Sequence, residues 1–450
     1  MSRNADWARR DLAVLWHPCT QMKDHEAWPP IPIESAEGVW LQDFEGKRYL
    51  DAISSWWVNL FGHRHPALNA AIQHQIERLD HVLLAGFTHE PVIRLSEALI
   101  EVAPEGLERC FYADNGSSAI EVALKMSHHA WRNQGHPEKT LFVTLENSYH
   151  GETLGALAVG DVPLYRETYR PLLMETIRVK SPDAYPRPPG ISEEEQAREA
   201  FKAMEAVLEE HAHNIAAVII EPLVQCAGGM RMYAPIYLNL LREACNHYGV
   251  HLIADEIAVG FGRTGTLFAV EQAGITPDFL CLSKGLTGGY LPLSVVLTTG
   301  ALYEIFYHED IKGRAFLHSH SYTGNPIACA VALESLSLFQ RDNVLEGNRS
   351  RARIMRDAVK ALEGHPHVGD IRQHGMILAI EMVRDASTRT PFAPEERRGR
   401  KVYQSALSDG VLLRPLGDVL YFMPPYVISE AEIHLMANAA IQGIDQATRD

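Results

Sequence analysis

Between residues 110 and 300 the chain repeats one pattern: a short apolar run, a polar or charged cluster that closes it, and a stretch of helical spacing. The runs fall at Cys110–Ala113, Thr140–Leu145, Ala216–Ile220, His251–Ala254, Phe279–Leu282 and Leu293–Thr298. Runs of four to six apolar residues alternating with helices are how strands buried on both faces read. They predict an α/β fold with an open, mainly parallel sheet. Two of the closing clusters are chemically pointed. The run at 251–254 ends in Asp255-Glu256, and the run at 279–282 ends in Ser283-Lys284-Gly285. Neighbouring strands that deliver a carboxylate and an amine suit pyridoxal phosphate, which needs a lysine for its Schiff base and an acid to keep its ring nitrogen protonated.

Outside this region the pattern changes. Residues 1–60 read as loops and short strands, with a hairpin over Gly38–Asp51, and residues 67–79 and 91–103 have helical spacing. Beyond a long helix at Pro326–Gln340 comes an α+β segment. It has a helix at 347–363, a strand at His374–Val383, a helix at 397–409, strands at Val411–Arg414 and Val419–Met423, and a last helix. The expected division is an N-terminal segment (1–60) packing with the small domain, a large domain (61–330) and a small α+β domain (331–450), since 450 residues exceed one typical core. Residues 181–195, rich in Pro, Ser and Glu, read as a surface excursion.

A formal charge of −16 argues against non-specific binding to nucleic acid. No apolar run approaches the roughly 18 residues of a membrane span, and the N-terminus shows no hydrophobic signal core. The six cysteines are scattered without a C-x-x-C pair, as expected of free thiols in a reducing cytoplasm.

Asp114-Asn115-Gly116-Ser117-Ser118 closes one strand and opens a helix, so it is either a plain helix cap or an anion site built of backbone N–H groups. Gly260–Gly265 matches G-x-G-x-x-G but lacks the strand-to-helix setting of a dinucleotide fingerprint, and is expected to be a flexible loop. Asp255, approached by apolar sequence, needs a cationic partner. Tyr149 follows another strand and is placed to stack on a planar ring or to pack in the core. Trp56-Trp57 either line an apolar channel or fill the core. Arg414 ends an apolar strand, where it holds a substrate carboxylate or a structural acid. The close pairs His63/His65, His128/His129 and His318/His320 fit no metal motif, and no metal is expected.

Taken together, Asp255-Glu256 with Gly260–Gly265 and Ser283-Lys284-Gly285 resemble the class III, fold-type I pyridoxal-phosphate aminotransferases, over nearly the whole chain. Ser54-Ser55-Trp56-Trp57, His318–Pro326 and Arg414–Gly417 resemble the branch of that family that makes 7,8-diaminononanoate in biotin biosynthesis. The resemblance implies a large domain with a mainly parallel seven-stranded sheet, a smaller α+β domain and a homodimer. It implies that Lys284 bonds the cofactor and shuttles a proton, Asp255 holds the ring nitrogen, and Gly116 and Ser117 hold the phosphate. Tyr149 would stack on the ring and line the substrate site. His320 and Ser321 would complete a phosphate site across the dimer interface, with Ser319 beside the substrate. Trp56 would pack on the substrate chain and Arg414 would pair with the carboxylate of 8-amino-7-oxononanoate. The amino donor would be S-adenosylmethionine or lysine. A class III ω-aminotransferase acting on another diamine or amino acid is the alternative.

Three positions depart from the family pattern. Cys19 stands where adenosylmethionine-using members carry tyrosine, Ser321 where some have threonine, and Glu152 where aspartate is usual. Cys19 bears on the choice of donor.

Overall fold

A computed structural model describes residues 2–188, 190–309 and 313–449. Seven strands form the large sheet: β1 (Leu107–Ala113), β2 (Leu141–Leu145), β3 (Thr176–Val179), β4 (Ile215–Ile220), β5 (His251–Asp255), β6 (Phe279–Leu282) and β7 (Ser294–Thr299). Their spatial order is β1-β7-β6-β5-β4-β2-β3. Strand β7 runs antiparallel to β6 and β1, and the pairs from β6 through β5, β4 and β2 to β3 are parallel. The central strands are apolar throughout because helices cover both faces. Every residue of β4, β5 and β6 is buried. One consequence positions the site. The C-terminal ends of β1, β2, β4, β5 and β6 share one edge of the sheet, where open α/β folds bind ligands.

The N-terminal segment is tied to the C-terminal one by backbone pairing. Ile33–Glu37, Trp40–Asp43 and Arg48–Asp51 form a meander extended by Val411–Leu412, with Val411 opposite Leu50 in parallel. A separate antiparallel sheet joins Val368–His374, Ile377–Met382 and Val419–Phe422.

Several local expectations need correction. The opening carries a helix, Arg3–Leu12, capped by Ser2; it buries only Ala8, and Trp7 stacks on Phe44. The single strand expected at His374–Val383 is the second arm of a hairpin turning at Gly375. Gly375 has φ +57° and sits against the backbone of Arg263 and Thr264, which leaves no room for a side chain. The excursion at 181–195 is anchored, not loose: Ser181 and Asp183 are buried, and Asp183 pairs with Arg231. The helix Glu193–His211 starts within it, behind a Ser192/Glu195 capping box. Pro189 of this stretch lies outside the described residues. The Gly260–Gly265 segment packs into the core. Phe261, Arg263 and Thr264 are buried within it.

Candidate active site

At the common sheet edge lies a cavity of about 550 Å³, lined by Gly116, Ser117, Tyr149, His150, Glu152, Glu221, Asp255 and Lys284 among others. Each strand end contributes what its sequence dictates. Strand β5 runs apolar to its last residue, Asp255, and β6 passes through Ser283 to Lys284, whose φ of +46° turns it abruptly out of strand geometry. Strand β1 gives way at Asn115 to the helix Gly116–Asn133. The Asn115 side chain caps Ser118 N at 3.1 Å, leaving the first-turn N–H groups facing the cavity, with the helix dipole behind them. After β2, the loop Asn147–Glu152 crosses the cavity. Its Gly151, at φ +125°, has no substitute, because a Cβ there would lie 2.1 Å from Ser117 Oγ.

The floor is a set of buried ionisable groups. Asp255 is 4% exposed, and His150 Nδ1 stands 2.7 Å from its Oδ2 while Ile257 N donates to Oδ1 at 3.0 Å. The side chain that the protein itself sets against Asp255 is His150, a residue that adjoins Tyr149 but carries no signal of its own in the sequence. His150 Nε2 is buried and finds no hydrogen-bond partner in the protein. Glu221, the residue that closes β4, accepts from Tyr149 N at 3.0 Å and Cys226 N at 3.1 Å. Burial pushes its carboxyl well above the usual range, and nearby Asp255 adds to the effect. Lys284 is half-buried at the cavity wall. Burial lowers its ammonium pKa, while Cys226, Asp255 and Glu221 pull in the other direction. Glu256, next to Asp255, faces away from the cavity. It accepts from Ala269 N at 2.7 Å and Val270 N at 2.8 Å, and burial raises its pKa to about 8.

One wall comes from a turn the sequence does not announce. Ser54, Ser55, Trp56 and Trp57 all have positive φ, between +46° and +75°. For non-glycine residues this costs about 1–2 kcal/mol each, so the turn persists only where its surroundings over-determine it. They do. Buried Asp51 takes Ser55 N at 2.9 Å and Ser55 Oγ at 2.7 Å. Ser54 Oγ donates to Met423 O at 2.7 Å, and Trp57 Nε1 donates to the Tyr421 hydroxyl at 3.0 Å. Arg263, 1% exposed, donates to Trp57 O, Asn59 O, Met423 O and Pro424 O, at 3.3, 3.0, 3.4 and 2.8 Å. The left-handed turn sends the two indoles apart. Trp57 goes inward, with Lys284 Nζ 4.7 Å from its ring centroid, and Trp56 goes outward, with the Arg414 guanidinium 4.5 Å over its ring. Trp57 lines the cavity; Trp56 and Arg414 lie beyond its lining, at the mouth.

Glu152 also stands at the mouth, accepting from the Tyr149 hydroxyl at 2.9 Å and from the Cys19 thiol at 3.8 Å. Of the residues expected to act across an interface, Ser319 and Ser321 are exposed and outside the cavity lining. His320 Nδ1 is 3.0 Å from Asp114 Oδ2, and its other nitrogen is 3.2 Å from His318.

The floor suits a flat, phosphorylated pyridine aldehyde. Its volume is within the range of small-molecule sites. An amine and a carboxylate reach it from adjacent strands, a helix N-terminus provides for a phosphate, and His150 of the lining has a buried Nε2 without a hydrogen-bond partner in the protein. Among the described residues no group of three or more His, Cys, Asp or Glu side chains could hold a metal.

Residues 21–444 match the family model of class-III aminotransferases. Relatives called adenosylmethionine-8-amino-7-oxononanoate aminotransferase, from Helicobacter pylori and Geobacter sulfurreducens, are each 44% identical, the first covering 99% of both chains and the second 98% of this chain and 97% of its own. Among solved structures, the enzyme of that name from Methanocaldococcus jannaschii superposes with a TM-score of 0.93 at 34% identity, covering 98% of this chain and 99% of its own. An (S)-enantioselective omega-transaminase from Thermomicrobium roseum superposes at 0.94 with 31% identity and complete coverage of both chains. A Pseudomonas jessenii omega transaminase, solved in complex with PMP, reaches 0.92 at 30% identity, with 100% of this chain and 98% of its own covered.

Proposed function

The chain belongs to the class-III aminotransferases, and from that premise we propose that it converts 8-amino-7-oxononanoate to 7,8-diaminononanoate, taking the amine from S-adenosylmethionine. Lysine is the alternative donor. The substrate assignment is supported by the 44% relatives of that name, and the observation that carries it is the pairing of Arg414 with Trp56 at the mouth of the cavity. A guanidinium over an indole receives a carboxylate with an apolar chain behind it, which is the tail of 8-amino-7-oxononanoate.

The family's cofactor is pyridoxal 5'-phosphate, which when bound supplies an aldehyde for amine capture and a ring that withdraws electrons from the substrate carbon. In this reading Lys284 would hold its aldehyde, Asp255 its ring nitrogen, Gly116 and Ser117 its phosphate, and Tyr149 its ring. His150, 2.7 Å from Asp255, orients that carboxylate for the ring nitrogen. Lys284 Nζ moves the proton at the substrate carbon. Burial lowers its ammonium pKa, which favours the free amine, the form a base requires. Trp57 excludes water beside that nitrogen. The molecule works as a homodimer in which Ser319, His320 and Ser321 of one subunit serve the other's site. Six free cysteines support a cytoplasmic setting, and no helix among the described residues is long and apolar enough to cross a membrane.

The test supplies adenosylmethionine and lysine separately with the keto acid and quantifies the diamine. Diamine from adenosylmethionine supports the full assignment, diamine from lysine alone moves the donor, and none from either removes the biotin-pathway reading. The likeness to omega-transaminases at a TM-score of 0.94 keeps a broader amine specificity as the second reading, decided by a substrate panel.

A further inference from the structure

We propose that Tyr165 selects the amino donor: with Tyr149 and Glu152 it forms a receptor at the mouth for a positive centre on the donor's side chain. This rests on the aminotransferase reading and deepens it.

Tyr165 comes from the short helix Pro163–Arg166, in a segment whose neighbours Leu164 and Leu172 are 82% and 64% exposed. Tyr165 is the residue of that helix turned against the site, where its ring meets the Tyr149 ring edge-on at 5.5 Å between centroids. Its position is fixed from the loop that carries Tyr149. Asp161 N donates to Ser148 O at 2.8 Å, Asn147 N donates to Asp161 Oδ2 at 3.2 Å, and Tyr165 N closes the turn on Val162 O at 3.1 Å. Around Glu152 the donors converge. The Tyr149 hydroxyl and the Cys19 thiol both point at Oε1, and Tyr165 and Cys19 stand close enough for each to shift the other's ionisation. Burial, followed by Cys19 and Glu152 for Tyr165 and by Glu152 for Cys19, raises the pKa of both groups, so phenol and thiol remain protonated donors. What this wall offers a ligand is one carboxylate framed by two aromatic rings. Carboxylate plus aromatic faces is the chemistry that receives sulfonium and ammonium groups.

The two substrates differ in where they carry positive charge. 8-Amino-7-oxononanoate has its amine on the carbon beside the reacting ketone and ends in a carboxylate, so its far end belongs to Arg414. Adenosylmethionine carries a sulfonium, and lysine a second ammonium, several bonds beyond the reacting amine. Only the donor therefore brings a cation to the mouth, and substitution at Tyr165 separates the two half-reactions.

The experiment follows each half-reaction of the cofactor-loaded enzyme by its visible absorbance in a stopped-flow instrument, for the wild type, Tyr165→Phe and Tyr165→Ala. Adenosylmethionine and lysine are separate donor arms, and the keto acid is the acceptor arm. Tyr165→Ala is expected to raise the half-saturating concentration of the reactive donor about tenfold, with Tyr165→Phe between it and the wild type. The limiting donor rate, the acceptor half-reaction and the resting spectrum should each stay within about twofold. Unchanged donor saturation in Tyr165→Ala, or equal losses in both halves, overturns the proposal. No reaction with either donor overturns it together with the functional reading. A donor-only defect in an enzyme that forms no diamine from the keto acid leaves Tyr165's role standing and removes the acceptor assignment alone.

Discussion

At the floor of the site, Asp255, Glu221 and Lys284 sit at the ends of adjacent strands in the middle of one sheet, the two carboxylates buried and the amine half-buried among fixed neighbours. At the mouth, Cys19, Glu152, Tyr165, Trp56 and Arg414 arrive from five separate stretches of chain, and Trp56 is 39% exposed. Burial does most of the work at the floor: it shifts the ionisations and makes every unpaired group costly, so the sheet must hold each partner in place. The mouth keeps its charges near water, where each contact is worth less and can change with the substrate. Chemistry common to a family belongs on the first kind of framework and substrate choice on the second.

Replacing Lys284 with Ala tests the floor most severely. Turnover should fall at least about 10³-fold, and the visible absorbance of the loaded enzyme should disappear while its secondary structure stays intact by circular dichroism. A mouth substitution should never do this. Next in size is Arg263→Met, which strips the donors from four buried carbonyls and frees the left-handed turn. A loss of about 3–5 kcal/mol is expected, seen as a large fall in melting temperature. A melting point within a degree of wild type would mean that the turn holds itself.

His251, at the opposite end of β5 from Asp255, probes the strand itself. It stacks on Trp131 at 4.3 Å, lies 2.9 Å from Ser127 Oγ, and is pushed by burial to a pKa of about 4, with Asp278 acting against and Lys139 and Arg242 with that shift. Because the folded-state pKa is depressed, the unfolded chain takes up a proton first as pH falls from about 6.5. Stability is lost between there and pH 4, to a total of about 3 kcal/mol. His251→Gln should flatten that part of a melting-temperature profile, and an unaltered acid slope would assign the loss elsewhere. The smallest effect is at the mouth. Arg414→Ala should raise KM for the keto acid about 30-fold, the weight of one charge-assisted carboxylate contact, with stability unchanged. Equal KM values would place the substrate carboxylate away from Arg414.

The same contrast decides what the sequence discloses. Asp255 and Lys284 stand out because an apolar strand makes its terminal charge conspicuous, and Glu221 closes β4 with the same signature that a stricter reading would have caught. His150 is invisible until the fold brings it across 105 residues to Asp255. Arg263 was hidden inside a glycine pattern that looks mobile, since nothing local foretells a guanidinium buried among carbonyls. Strand β3, four residues with an exposed arginine, is too short for periodicity. Tyr165 escapes notice altogether: its neighbours read as surface, and only contacts with Tyr149 and Cys19 from two other segments give it meaning.

The most direct measurement of the central claim is to reduce the cofactor-loaded enzyme with borohydride, digest it, and locate the pyridoxyl group by mass. The label is expected on the peptide containing Lys284, at that residue alone, and its yield should fall when Asp255 is replaced by Ala. A label on another lysine, or no covalent label in an enzyme that turns over, would contradict the account.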